Sequence, residues 1–277
     1  MERGALPFSV GAARTHRAFQ RGWKNGVPST FNEKLRYKLI HDRRALVRVY
    51  SDKLVVRDYV RSLKVGVRLP ELLGVCSTAG EAVSRTPPKP WVMKGAHGSG
   101  MVLVGGHDDE VAESDIRCRA ERWLQTDYAL LYWEWQYFRL PRRVLFEEHL
   151  GHGREVPADY KFYVIHQKVR FVTVDEGRFT RHTRNLFRPD WTPIASGKGH
   201  APPAANPPSR PPLLEKMIGI AEALACDTDF LRVDLYVTRG EIFFGELTHA
   251  PAAGDLDFED PALDAEMGGY WELPRKY

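Results

Sequence analysis

The stretch Leu231–Gly254, LRVDLYVTRGEIFFGELTHAPAAG, constrains the fold more than any other part of this chain. Two runs rich in β-branched and aromatic residues flank Thr238–Arg239–Gly240, so the segment reads as a β-hairpin. With a three-residue loop, Gly240 takes the left-handed position of a bulged hairpin, and Val237 pairs with Glu241 and Asp234 with Phe244. Arg232, Asp234 and Glu246 then share a face, with Glu246 diagonal to Asp234, because opposite residues and residues two apart point to the same side. A two-residue loop would instead turn Glu246 to the opposite face. Two carboxylates and an arginine on one face suit a Mg²⁺–polyphosphate site, since Mg²⁺ favours carboxylate oxygen and a guanidinium balances phosphoryl charge. A solvent-facing strand with a surface salt bridge is the other reading of the same residues.

A second stretch, WVMKGAHGSG at residues 91–100, ends an apolar run with Lys94 and follows it with three glycines. In the commonest phosphate loop the lysine comes after the glycines. Here Lys94 precedes them, on the strand that leads into the loop, and MVLV after the loop completes a hairpin.

The rest of the chain reads as α+β. STFNEKLRYKLIHDRR opens with a capping box, Thr30 and Glu33, and carries Phe31, Leu35 and Leu39 at helical spacing. SDKLVVRDYVRSL starts a helix with Ser51 or Asp52 as its cap and Leu54, Val55, Tyr59 and Leu63 as its apolar face. LPELLGVCSTAGEAV reads as strand, turn and short helix, and RTPPKP ends a mainly helical N-terminal region, 1–90. Residues 91–150 hold the lysine strand, glycine loop and a helical stretch with Trp123, Trp133 and Trp135; residues 151–277 hold the long strands. The six prolines of residues 197–212 predict a mobile connector without regular structure, followed by an amphipathic helix at LLEKMIGIAEALAC. The first seventeen residues read as a flexible leader.

Composition excludes several classes. Forty basic against 36 acidic residues give a net charge of +4, too mild for a nucleic-acid partner. No apolar run approaches the ~18 residues of a membrane span. Three scattered cysteines, Cys76, Cys118 and Cys226, form neither a disulfide framework nor a zinc site, which favours the cytoplasm. The ten histidines include no HxxxH or HExxH spacing; His149, His152, His166 and His200 read as surface or packing residues, and the tryptophans as packing.

Taken in order, TFNEKLRYKLIHDRR, DKLVVRDYV, LLGV, HGSG, EEHL, DYKF, the WTP segment and FGELT resemble the TupA-like ATP-grasp family across roughly residues 28–275. The resemblance implies an ATP-grasp fold, with nucleotide held between two α+β subdomains and a shortened N-terminal region. It also implies ATP and Mg²⁺. Lys53 and Lys94 match the two nucleotide lysines, and His97, Gly98, Ser99 and Gly100 the lid loop. Glu147, Glu148, His149 and Leu150 match the hinge that receives adenine, and Asp159 and Lys161 a ribose or phosphate site. Arg232 matches the arginine at the phosphoryl centre, and Asp234 and Glu246 the metal ligands. Thr248 stands where many relatives have a metal-binding Asn, and Ala252 where Gly is common. The family's namesake is tied to an amino-acid–uronic-acid polymer of the cell wall.

DEGRFTRHTRNLF, with Arg178, Arg181, His182, Arg184 and Asn185, reads either as a solvated turn or as an anion clamp, and the clamp is preferred, with Arg181 and Arg184 in it. The expected activity is therefore an ATP-dependent carboxylate–amine ligase acting through an acyl phosphate on amino-acid, peptide or sugar-acid substrates. A kinase on the same scaffold and a non-catalytic nucleotide-binding protein are the alternatives. The short N-terminal region leaves the carboxylate pocket abbreviated, open to a large substrate, or completed by a partner.

Overall fold

The computed structural model describes residues 26–106, 111–132, 134–151, 156–178, 180–195, 201–258 and 260–277. The expected leader, residues 1–17, together with Trp133, His152 and His200, lies outside them. Helices α1 (Phe31–His41), α2 (Ala45–Ser51), α3 (Val55–Leu63), α4 (Ala79–Ser84), α5 (Glu113–Gln125), α6 (Tyr128–Tyr132), α7 (Leu214–Leu224) and α8 (Pro261–Gly269) surround two antiparallel sheets. The smaller sheet has the order β1 (Leu72–Cys76), β4 (Val144–Glu148), β2 (Trp91–Gly95), β3 (Val102–Gly105). The larger runs β10 (Glu241–Thr248), β9 (Phe230–Thr238), β5 (Asp159–Ile165), β6 (Lys168–Glu176), β7 (Thr183–Phe187), β8 (Pro193–Ile194). The small sheet thus draws its edge strand β1 from the stretch before residue 90.

Local chemistry explains the elements. Thr30 and Glu33 exchange hydrogen bonds across the first turn of α1, as a capping box does, which is worth about 1 kcal/mol. Phe31, Leu35 and Leu39 lie on its buried side. The chain then breaks at Asp42, whose carboxylate takes the Arg44 N–H and guanidinium, and resumes as α2, a separate helix that the periodicity did not resolve. Asp52 caps α3 by accepting the Leu54 and Val55 N–H groups at 2.9 and 3.2 Å. The buried face of α3 is Val56 and Val60, with Tyr59 and Leu63 partly covered, whereas Val55 is exposed.

Alternation in the large sheet divides its faces. Phe162, Val164, Val172, Val174, Leu231, Val233 and Leu235 point to one side, where Met217, Ile220 and Leu224 of α7 cover them. Burying each of those three helix side chains contributes roughly 2 kcal/mol. The opposite face is apolar at one end only, where Tyr163, Ile165, Phe171 and Phe230 meet Phe31 and Leu35 of α1, Leu263 and Met267 of α8, and Trp271. The rest of that face is charged. In the small sheet Trp91, Met93, Val144 and Phe146 pack against α4 and α5, and Trp123 and Cys76 lie in that core.

Two places depart from the sequence reading. The β9–β10 loop has two residues, not three: Thr238 pairs with Glu241, and Arg239 and Gly240 are both left-handed, φ 53° and 72°. Alone, that turn would put Glu246 on the wrong face. A bulge at Gly245 shifts the register back, so that Glu246 sits directly opposite Asp234 rather than diagonal to it. A side chain at 245 would come within 2.9 Å of the Asp234 carbonyl oxygen and 3.0 Å of the Tyr236 ring, which is why the bulged residue is glycine.

Residues 201–212 have no regular structure, as expected, but they are tied down. Pro202 O accepts from Arg184 N at 3.0 Å, Asn185 Oδ1 from Ala204 N at 3.3 Å, and Pro208 O from Trp191 Nε1 at 3.0 Å. At the other margin Arg68 pairs with β10: its N–H donates to Ile242 O at 2.9 Å, and its carbonyl accepts from Phe244 N at 2.7 Å.

Candidate active site

The charged face of the large sheet is a lattice set by register. Glu246, Asp234 and Lys161 lie side by side on β10, β9 and β5, and one step along are Asp159, Asp175 and Arg184 on β5, β6 and β7. Arg232 grips Asp234 with two prongs, Nε to Oδ1 and Nη2 to Oδ2, both at 2.7 Å, and the same Nη2 donates to Glu246 Oε1 at 2.5 Å. Lys161 donates to Asp234 Oδ2 at 2.8 Å and to Asp159 Oδ2, with Asp175 at 3.8 Å. Arg184 forks onto Asp175 at 2.6 and 2.9 Å, and His182 joins at 3.1 Å. Arg178 reaches Asp159 at 3.5 Å. Thr248 faces Arg232 across the strands and donates to Glu246 Oε1 at 3.2 Å.

Burial pushes the Asp234 carboxyl up to about 6 against the pull of Arg232 and Lys161. Glu246 is raised by burial and lowered more strongly by Arg232, Lys161, Lys53 and Arg178, which bring it down to about 2. For Lys161, burial is outweighed by Asp159 and Asp234, and its ammonium is held above the ordinary lysine value. Asp175 is likewise buried, but the Arg184 fork keeps it well below the usual carboxylate range.

The small sheet supplies the other half. Lys94 on β2 donates to Glu147 Oε2 at 2.5 Å, and Arg57 of α3 takes Glu147 Oε1 at 2.7 Å. Lys53, in the turn before α3, donates from Nζ to Gly98 O and from its N–H to Ala96 O, so it clasps the glycine loop. Burial lowers the Lys53 ammonium; the Glu246 charge opposes that shift and Lys94 adds to it. Lys53 therefore senses a carboxylate of the large sheet and the lysine of the small one, and the two charged faces meet across it.

The loop residues divide. His97 turns inward, its Nε2 bonded to Trp123 O at 2.9 Å, and burial lowers its pKa, which keeps it neutral. Gly98 is pressed against Tyr128, where a Cβ would stand 2.7 Å from the ring. Ser99 and Gly100 are exposed at the tip, Gly100 in the left-handed region at φ 71°. At the hinge, Glu148 pairs through its N–H and its carboxylate with Glu71 and reaches Arg239 at 3.2 Å. His149 is buried, and Leu150 O accepts from Thr238 Oγ1 at 3.2 Å. Arg181 is exposed and pairs with no described acid, so Arg178 and Arg184, rather than Arg181, reach the lattice.

Sequence reasoning missed three participants, Arg57, Asp175 and Glu134, and the side-chain part played by a fourth, Glu147. Glu147 acts through its side chain, holding Lys94 in place, and Arg57 holds Glu147. Asp175 anchors Arg184. Glu134, on the segment before the short helix Trp135–Tyr137, feels the Glu246 charge. Each finds its partner on another element, which no local period reveals, so only the folded arrangement finds them.

Comparison with known proteins follows the same lines. The sequence profile of the TupA-like ATP-grasp family matches residues 33–272. No curated protein matches the chain in sequence. Among solved structures, the ATP-grasp ligase PsnB complexed with a minimal precursor is 15% identical, with TM-score 0.41, over 76% of this chain and 54% of its own. D-Alanine-D-alanine ligase from Helicobacter pylori is 15% identical, with TM-score 0.43, over 82% and 62%. The ADP complex of purK, N5-carboxyaminoimidazole ribonucleotide synthetase, is 16% identical, with TM-score 0.43, over 75% and 46%. The match thus takes in about half to three fifths of each of those proteins. With the profile match covering most of its length, this chain belongs to the TupA-like ATP-grasp family.

Proposed function

We propose that this protein is an ATP-dependent ligase that joins a carboxylate to an amine through an acyl phosphate, releasing ADP and phosphate. The observation that carries the reading is the cationic setting of Asp234 and Glu246: Arg232 bonds both and Lys161 bonds Asp234, Lys53 and Arg178 lie close enough to lower Glu246, and Lys94 in turn acts on Lys53. The cations suit a polyphosphate, and the paired carboxylates suit a metal. No side-chain nucleophile is needed, because the chemistry is one of positioning and charge balance.

The donors fit Mg²⁺. Asp234 and Glu246 are cross-strand partners already bridged by one cationic group. They would hold the ion, with the Thr248 hydroxyl beside them; when bound, Mg²⁺ offsets polyphosphate charge. Asp159 Oδ1 is buried without a hydrogen-bond partner and offers a further hard oxygen. Lys94 and Lys53 meet the nucleotide phosphates, with the 97–100 loop over them and the 147–150 hinge at the adenine. Arg232 would turn from the carboxylates to the transferring phosphoryl group, and Arg178 and Arg184, rather than the expected Arg181, would steer anionic substrate.

We place the enzyme in the cytoplasm, in the synthesis of a cell-surface polymer or peptide-like metabolite. Mass spectrometry of amino acids, sugar acids and short peptides incubated with enzyme, ATP and Mg²⁺ tests it. A product equal to two components less water, with ADP, and absent with Asp234→Asn, is expected. A product heavier by one phosphate would make the protein a kinase.

A further inference from the structure

Past Thr248 the chain turns at Pro251–Gly254, and the segment 134–137 lies against that turn. Trp135 packs on Leu39, Ala250 and Ala253, and Arg43 stacks over its ring at 4.5 Å. This anchors the segment at the end of the charged face, beyond the carboxylates. Its polar groups are arranged unusually. Gln136 is 3% exposed; its Nε2 donates weakly to Glu134 Oε1 at 3.4 Å, while its Oε1 has no hydrogen-bond partner. A buried carbonyl oxygen left unpaired costs about 1–3 kcal/mol, so it marks a place where a donor belongs.

Around Glu134 stand three tyrosines. Tyr128 and Tyr132 stack with ring centroids 4.3 Å apart, and Tyr137 meets Tyr128 edge-on at 4.8 Å. All three are close enough to Glu134 that each hydroxyl feels its charge, and Tyr137 also feels Glu246 and Arg232. An acid, an unpartnered amide oxygen and a wall of aromatic rings are a receptor for an organic ammonium ion, which donates several hydrogen bonds and is drawn to ring faces. A hard metal ion would want more oxygen ligands than these.

We propose that Glu134 and Gln136, within the tyrosine wall, bind the ammonium group of the amine substrate, and that Glu134 takes one of its protons. The inference rests on the ligase reading and names its nucleophile as a primary amine. The amine nitrogen, freed of one proton to Glu134, forms the bond to the acyl carbon. The carbon–oxygen bond to phosphate breaks, and inorganic phosphate leaves with that electron pair and carries the nitrogen's second surplus proton. Burial first, and Glu246 after it, raise the Glu134 carboxyl to about 8 against the Gln136 hydrogen bond, so in the empty site it is largely protonated at pH 7 and becomes, above that value, a carboxylate more basic than an ordinary glutamate.

The test uses the full chain with ATP, Mg²⁺ and the pooled carboxylates, offering equal hydroxylamine and methylamine. At about pH 8.5, where Glu134 is mostly a carboxylate, hydroxylamine is neutral, whereas methylamine is protonated and needs a base. The measured quantity is the ratio of methylamide to hydroxamate from one preparation, which is independent of how much enzyme is folded. Glu134→Gln should lower that ratio by about 100-fold, the ordinary worth of a general base. Gln136→Leu should raise the KM for methylamine more than it lowers kcat. A ratio unchanged in Glu134→Gln would overturn the assignment while leaving the ligase intact. Wild-type enzyme that forms neither product would sink the ligase reading, and this inference with it.

Discussion

Arg232 and Asp234, two residues apart on one strand, are joined by two parallel hydrogen bonds of 2.7 Å, and the same guanidinium reaches Glu246 at 2.5 Å. One cationic side chain thus occupies the space between two carboxylates on neighbouring strands. Replacing it with Arg232→Met removes the one cation hydrogen-bonded to both carboxylates and leaves Asp234 with Lys161 alone. Wild-type enzyme should bind Mn²⁺ weakly without nucleotide, and Arg232→Met should bind it about tenfold more tightly, as read by the loss of free Mn²⁺ signal in electron paramagnetic resonance. Equal affinities would show that the guanidinium and the metal do not compete.

Glu147 ties Lys94 to Arg57 inside the small sheet. Glu147→Gln removes the charge and leaves both cations without a buried counter-ion. The loss should be about 3 kcal/mol of stability in urea denaturation. ATP affinity should also fall, by about tenfold, because Lys94 is no longer held on its strand face.

How much of this was legible beforehand differs by element. The capping box of α1, the β2–β3 hairpin and the amphipathic α7 follow from local spacing, and all three formed where spacing put them. The face shared by Arg232, Asp234 and Glu246 also held, but through a different register. A shorter loop and a bulge at Gly245 cancel each other, and neither is visible as a periodicity. Glu147 was read as hinge backbone because of its place in the EEHL motif; the work of its side chain depends on Arg57, ninety residues away. The helix α2 escaped because its seven residues are too few for a period to declare itself.

Gly245→Ala tests the bulge. The added methyl meets the Asp234 carbonyl and the Tyr236 ring, so β10 must shift or slip by one position. A stability loss of about 1–3 kcal/mol is expected. Because slippage turns Glu246 away from Asp234, ATP consumption should fall further than stability alone explains. Full turnover in a folded Gly245→Ala protein would contradict this.

The Asp175–Arg184 fork predicts a pH dependence. The folded Asp175 carboxyl lies below the ~3.9 of an unfolded aspartate, so its contribution is complete above that value and fades as pH falls through the acid range. Asp175→Asn should cost about 2 kcal/mol at pH 7, moderated by the partial exposure of Arg184. The gap between urea midpoints of the two proteins should narrow as the pH is lowered to about 2.5.

At Ala252 and Ala253 the backbone is left-handed, φ 51° at both. Alanine in that region is strained by about 1–2 kcal/mol, and a glycine there gives back up to about 1 in unfolded-chain entropy. Ala252→Gly should therefore leave the melting temperature unchanged or raise it by a few degrees, the reverse of the usual effect of a new glycine. A clear fall in calorimetry would rule out the strain.

The pairing of Arg68 with Ile242 and Phe244 has a mechanical meaning. Arg68 belongs to the link between α3 and β1, and so to the approach to the small sheet, yet it is bonded into the margin of the strand that carries Glu246 two residues further on. On the proposed reading, a nucleotide that draws Lys94 toward its phosphates would pull, through this pair of backbone hydrogen bonds, on the strand that presents Glu246, so that movement of the small sheet and alignment of Glu246 would be a single displacement.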